Sequence, residues 1–162
     1  MSVVVYLSLG SNLGDREENL RQAIGALPAR NVRVLRVSPI YEAEPVDFRD
    51  QPWFLNCVVE AEAALEPLAL LHALRAIESG MGSRKEFAKG PRLLDIDILL
   101  YGDQTISTPE LQVPHSRMTE RRFVLTPLVD LASDLHHLSW PGTAAELLAQ
   151  LDDPSTVRLF RA

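Results

Sequence analysis

The sequence predicts an α+β fold, and three observations predict it. Short runs rich in β-branched and apolar residues recur through the first 101 residues. Two of the stretches between them carry apolar residues at helical spacing instead. The resulting order is strand, helix, strand, strand, helix, strand. That order is the split βαβ, ferredoxin-like arrangement: a βαββαβ core, an antiparallel sheet with helices on one face.

Each element has its own local signal. Residues 3–9 alternate and give the first strand. In SNLGDREENLRQAIGAL, Asp15 stands as N-cap with Glu18 three residues on, a capping-box pattern; Leu20, Ile24 and Leu27 follow at helical spacing. Residues 32–41 read as the second strand, with a shift of phase near Val37. Residues 42–52, with Pro45 and Pro52, form a loop, and residues 54–63 the third strand. Residues 67–79 are the second helix, with Leu68, Leu71, Leu74 and Ile77 along one face. A basic loop over 80–91 leads into the fourth strand, residues 92–101. The C-terminal additions are a helical stretch near 117–131, a helix in TAAELLAQL capped by Thr143, and a tail strand over 156–160. No repeat or linker divides the chain, and 162 residues suit one domain over 1–162.

Composition narrows the function classes. Hydrophobic residues make up 46% of the chain, ordinary for a globular protein. Cys57 is the one cysteine, so no intrachain disulfide forms, and a reducing, cytoplasmic setting is expected. The opening MSVVVYLSLGSN lacks the basic start of a signal peptide, and no apolar run is long enough to span a bilayer. A net charge of −6 argues against nucleic acid as a partner. Yet seven of the 16 basic residues fall in two short segments: Arg84, Lys85, Lys89 and Arg92, then Arg117, Arg121 and Arg122. Such clusters in an acidic chain mark either a solvated surface or a site for a small anion.

The stretch KGPRLLDIDILL sharpens that choice. A strand has period 2, so Asp95 and Asp97 share one face, with Cα atoms roughly 6.6 Å apart. Leu94, Ile96, Ile98 and Leu100 are expected on the other face, under the helices. Two like charges about 6 Å apart repel by roughly 3 kcal/mol at an effective dielectric near 20. Half-buried, the pair calls for arginine or for a metal. Carboxylates at this spacing can hold Mg²⁺ against phosphate oxygens. A solvent-facing polar stripe is the other reading of the same residues. Basic segments on both sides, the second being PHSRMTERRF, supply the phosphate partners of a nucleoside-triphosphate site. Neither a Walker loop nor G-x-G-x-x-G occurs. GSNLG reads as a tight turn, Cys57 as a small inward-facing hydrophobe, and His136 and His137 as surface residues.

Four segments, in order, carry a family resemblance: LSLGSNLGDREENL, SPIYEAEPVDFRDQPWFLNCVV, GPRLLDIDILLYG and VPHSRMTERRFVLTPL. They resemble the 6-hydroxymethyl-7,8-dihydropterin pyrophosphokinases of folate biosynthesis. The resemblance implies a single pyrophosphokinase domain in which the pterin hydroxymethyl attacks the β-phosphorus of ATP and AMP leaves. It implies two Mg²⁺ ions, a monomer, and ATP and 6-hydroxymethyl-7,8-dihydropterin as the small-molecule substrates. Carried onto this chain, Asp95 and Asp97 would be the metal ligands. At the catalytic centre Arg92 would contact phosphate or hold the closing loop and Arg84 would be the loop's phosphate-side arginine, Lys85, His115 and Arg121 would bind nucleotide phosphates, and Glu78 and Ile98 would line the nucleotide side. Phe54 and Phe123 would sandwich the pterin, Asn56 would read its edge, and Ala43, Glu44, Pro45 and Val46 would complete the pocket. The sequence departs from the family at Ser83, where many members carry arginine, at Ser116, where some carry tyrosine, and in a loop one residue shorter. These departures keep a second reading open: a Mg-dependent nucleotide-binding relative with weakened or different phosphoryl-transfer activity.

Overall fold

The computed structural model describes residues 2–46, 49–83 and 91–161. Its elements are β1 (Val3–Ser11), α1 (Arg16–Ala26), β2 (Val32–Val37), β3 (Tyr41–Ala43), β4 (Phe54–Ala63), α2 (Pro67–Gly80) and β5 (Asp95–Tyr101). A small hairpin of β6 (Ile106–Ser107) and β7 (Gln112–Val113) follows, then α3 (Arg122–Ala132), α4 (Ala144–Ala149) and β8 (Val157–Leu159). The main sheet runs β5-β1-β4-β3-β8, with β2 also pairing β4, and every pairing is antiparallel. This is the ferredoxin-like order that the element sequence implied. Among the described residues no helix is long and apolar enough to cross a membrane.

Strand alternation divides the side chains between two cores. Leu7, Leu9, Cys57, Val59, Ile96 and Ile98 face α1 and α2, packing with Leu20, Leu70 and Leu74. The opposite face carries Tyr6, Val58, Leu99 and Leu100, covered by Met118, Val124, Leu125 and Leu128 at the C-terminal additions. Helices therefore cover both faces, and the second covering is partial. It leaves open the end of the sheet where Gly10, Asn56, Asp95 and Asp97 lie in register. Leu74 is fully buried in the first core, so Leu74→Ala is expected to cost about 2–5 kcal/mol, read as a lowered denaturation midpoint at unchanged m-value.

Asp15 and Thr143 cap their helices as the sequence implied, but only Thr143 closes a full capping box, since the Glu18 carboxylate does not return to Asp15. The Asp15 carboxylate accepts from the Glu18 N–H at 3.1 Å, and Thr143 and Glu146 form a reciprocal capping box. Several expectations are corrected. The buried face of α2 is Leu70, Leu74 and Ile77, while Leu68 is exposed. Steps of three residues lag the 3.6-residue turn, so residues nine apart end on opposite sides of a helix. The second strand breaks at residues 38–40: the Ser38 hydroxyl accepts from the Val58 N–H at 2.9 Å in place of a backbone carbonyl, and Pro39 has no N–H to offer. Its phase shift falls between Val34 and Arg36, ahead of Val37. The fourth strand begins at Asp95, because Arg92 exchanges its backbone bonds with Asn12 and the Leu94 N–H donates to Ser83 Oγ. A register shift opposite Tyr6 and Leu7 turns Leu100 into the second core, away from Ile96 and Ile98. The stretch near 117–131 is a 3-10 turn (Met118–Glu120) followed by α3. His137 is buried, with Nδ1 against Ser139 Oγ at 2.8 Å and its ring beside Trp140.

Candidate active site

The open end of the second sheet face forms a cavity of about 190 Å³. β1 supplies Ser8 and Gly10 to its floor, β4 supplies Phe54 and Asn56, and β5 supplies Asp95 and Asp97. Ala43 to Val46, leaving β3, make one wall with Gln51. Arg92, Arg121 and Phe123 close the other side. Register explains the arrangement: Gly10 lies opposite both Asn56 and Asp95, and Ser8 opposite Asp97.

The two ends of the cavity differ chemically. At the β5 end, Arg92 Nη1 donates to Asp95 Oδ1 at 3.2 Å. Arg75 Nη2 lies 4.0 Å from Asp97 Oδ1, and His115 Nε2 lies 3.9 Å from Asp97 Oδ2. Burial first, and the Asp95 charge second, push the Asp97 carboxyl up to about 7. The same burial, with Arg121 nearby, lowers His115, so its ring is neutral near pH 7. His115 Nδ1 accepts from the Arg117 N–H at 3.2 Å, which leaves the proton on Nε2, facing Asp97. Glu78 Oε2 accepts from the Ile96 N–H at 2.7 Å and from Arg75 at 2.7 Å; burial pushes its carboxyl up. At the β4 end, aromatic rings and an amide replace the charges. The Arg121 guanidinium stands 5.5 Å from the Phe123 ring centre.

Three buried donors at this cavity have no partner among the described residues: Asn56 Nδ2, Arg92 Nε and Arg121 Nε. Buried polar groups are normally hydrogen-bonded, so these three donors leave the cavity suited to an acceptor-rich ligand. Among the described residues no cluster of three or more His, Cys, Asp or Glu gathers. Two adjacent carboxylates alone suit Mg²⁺, which keeps waters and takes phosphate oxygens for the rest of its shell.

The structure thus brings together Arg92, Asp95, Asp97, Arg121, Ala43, Glu44, Pro45, Val46, Phe54, Asn56 and Phe123. His115 and Glu78 lie behind the aspartates, off the cavity lining. The Ile98 side chain is buried in the first core, pointing away from the cavity. Arg84 and Lys85 lie outside the described residues. Ser83 does local work: its hydroxyl donates to Leu94 O at 2.6 Å and accepts from the Leu94 N–H at 3.2 Å.

Sequence reasoning missed several contributors. GSNLG is two features: Gly10, the next-to-last residue of β1, lines the cavity, and Gly14 takes the turn at φ +67°. A glycine within a strand was the available signal for close approach. Asn12 had no such signal. Its Nδ2 donates to Gln51 Oε1 and Pro52 O, both at 2.9 Å, and its Oδ1 accepts from the Arg92 N–H at 2.7 Å. Asn12→Ala would remove the side-chain partner of Pro52 O and of the Arg92 N–H, at a cost of about 2–4 kcal/mol. The expected readout is a melting temperature lower by roughly 5–10 °C in calorimetry.

Comparison with known proteins adds a family to this geometry. The family model described as 7,8-dihydro-6-hydroxymethylpterin-pyrophosphokinase matches residues 6–133. The folic acid synthesis protein fol1 of Schizosaccharomyces pombe is 45% identical over 160 residues, 97% of this chain. This chain spans only 21% of that protein's length. The 2-amino-4-hydroxy-6-hydroxymethyldihydropteridine pyrophosphokinase of Bacillus subtilis is 46% identical over 136 residues, 83% of this chain and 81% of that one. Among solved structures, Plasmodium falciparum HPPK-DHPS matches 93% of this chain and 45% of its own at a TM-score of 0.74 and 16% identity, a likeness of fold.

Proposed function

This chain belongs to the 7,8-dihydro-6-hydroxymethylpterin-pyrophosphokinase family, and from that premise we propose that it transfers pyrophosphate from ATP to the hydroxymethyl group of 6-hydroxymethyl-7,8-dihydropterin, releasing AMP. The observation that carries the reading is one cavity with two chemically distinct ends. Asp95 and Asp97 lie beside arginines at one end, and Phe54, Asn56 and Phe123 sit at the other.

The pterin binds between Phe54 and Phe123, where aromatic stacking adds about 0.5–1.5 kcal/mol beyond burial. The Asn56 amide, with its Nδ2 unpaired, donates and accepts at once along the pterin edge. Ala43, Glu44, Pro45 and Val46 bound the ring. Asp95 and Asp97 would hold Mg²⁺, two ions in our reading, which would supply neutralisation of the triphosphate and polarisation of the β-phosphorus. Arg92 and Arg121 turn their unpaired Nε–H groups to phosphate oxygens, joined by Arg84 and Lys85 from the loop. His115, neutral, offers its Nε2 proton to the nucleotide, and Glu78 fixes the β5 edge beside it. The protein's contribution is position and charge; phosphoryl transfer asks little covalent chemistry of it. In our reading residues 1–162 act as one pyrophosphokinase domain and as a monomer. The single, buried Cys57 supports a cytoplasmic setting.

The test is product analysis with Mg-ATP, with and without the pterin. The expected result is AMP formed only with pterin and abolished by chelation of Mg²⁺. ADP, or nucleotide turnover independent of pterin, would overturn the proposal.

A further inference from the structure

We propose that Arg158 is a positioning residue for the pterin-facing wall, acting from behind it and without touching substrate. This rests on the pterin reading of the cavity. The wall is made where Ala43 on β3 lies opposite Phe54 on β4, and both residues line the cavity. The residue before each is held on the far side. Alternation turns the Glu42 carboxylate away from the cavity that Ala43 faces. Arg158 reaches it from β8, opposite Glu42 in register, with Nη2 and Nε donating to Glu42 Oε1 at 2.8 and 3.2 Å. The same guanidinium stands 4.8 Å from the ring centre of Trp53, the residue before Phe54. One side chain therefore ties together the backs of both halves of the wall.

Two further contacts make this a clasp. Arg16 Nη1, at the start of α1, donates at 2.9 Å both to Glu42 Oε2 and to the Trp53 carbonyl. The Glu44 N–H donates to Thr156 O at 3.1 Å, and the Thr156 N–H donates to Glu44 Oε1 at 2.7 Å. Glu44 itself lines the cavity. The pterin wall is thus held along its outer edge by a strand at residues 157–159, beyond the 6–133 that the family model matches. A stacked aromatic site is sensitive to displacements of about 0.5 Å. Loosening the clasp weakens pterin binding, while the aspartates on β5, at the opposite edge of the sheet, are untouched.

Arg158 is 64% exposed, so its truncation leaves the fold intact. Arg158→Ala is expected to raise the KM for pterin roughly three- to tenfold, the size that follows from losing a partly exposed ion pair and a cation–π contact. KM for ATP and kcat should stay within about twofold. Arg158→Lys should recover part of the loss, since it keeps the charge but not the planar fork. Leu159→Ala, on the same strand, should match wild type. An Arg158→Ala enzyme with unchanged pterin KM would overturn the proposal. So would equal rises for both substrates, or a lower kcat alone, which is what a smaller active fraction gives. Direct calorimetric titration of the wild type with pterin separates the two levels: no binding there overturns the functional reading itself, and this inference with it.

Discussion

Asp97→Asn is expected to lower kcat by roughly a thousandfold and, at the same time, to stabilise the metal-free protein. The first effect follows from removing a charged metal ligand where several kcal/mol of transition-state charge is neutralised. The second follows from linkage. Burial and Asp95 raise the Asp97 carboxyl from its ordinary 3.8 to about 7. An acid whose folded pKa lies above its unfolded value binds protons more tightly when folded. Its contribution is therefore most favourable at low pH and is lost as pH rises from about 4 through about 7. Asparagine keeps the neutral form at every pH. The variant should melt several degrees higher than wild type at pH 8, and the gap should narrow toward pH 5. Mg²⁺ with a non-hydrolysable ATP analogue should raise the wild-type melting temperature and leave the variant nearly unmoved. Scanning calorimetry at the two pH values reads all of this. A variant that is both active and no more stable would remove the metal role from Asp97.

Gly10→Ala is expected to raise the KM for pterin roughly 10- to 100-fold with little change for ATP. A Cβ on Gly10 would stand 2.8 Å from Asn56 Oδ1 and 3.6 Å from Phe54 Cδ1. Gly10 sits on β1, between β5 and β4, so it has little room to retreat. The Asn56 amide must give way, and the pterin edge then loses hydrogen bonds to a buried group, worth about 1–3 kcal/mol. Substrate titration of the variant reads the effect. Equal losses for pterin and ATP would point instead to a distorted sheet.

Much of this molecule is written locally in its sequence. Period-2 runs, the Asp15 and Thr143 caps, and the adjacent Asp95 and Asp97 depend on residues within a few positions of each other. The features that escaped depend on partners far along the chain. Leu100 changes face because β5 shifts register against β1. The second strand ends early because a Ser38 hydroxyl replaces a carbonyl toward Val58. Asn12 matters through Arg92, Gln51 and Pro52, and Arg158 through Glu42 and Trp53. No window of sequence contains those pairs. Gly10 lies between the two cases: the glycine was visible, but the Asn56 that requires it is 46 residues away.

The most direct measurement follows the β-phosphorus. The protein would be given Mg²⁺, the pterin, and ATP labelled at its β-phosphorus, and the products separated. Label travelling with the pterin, and AMP left unlabelled, is the predicted result. Label retained in ADP, with only the γ-phosphoryl group moved, would contradict pyrophosphoryl transfer and the role given to Asp95 and Asp97.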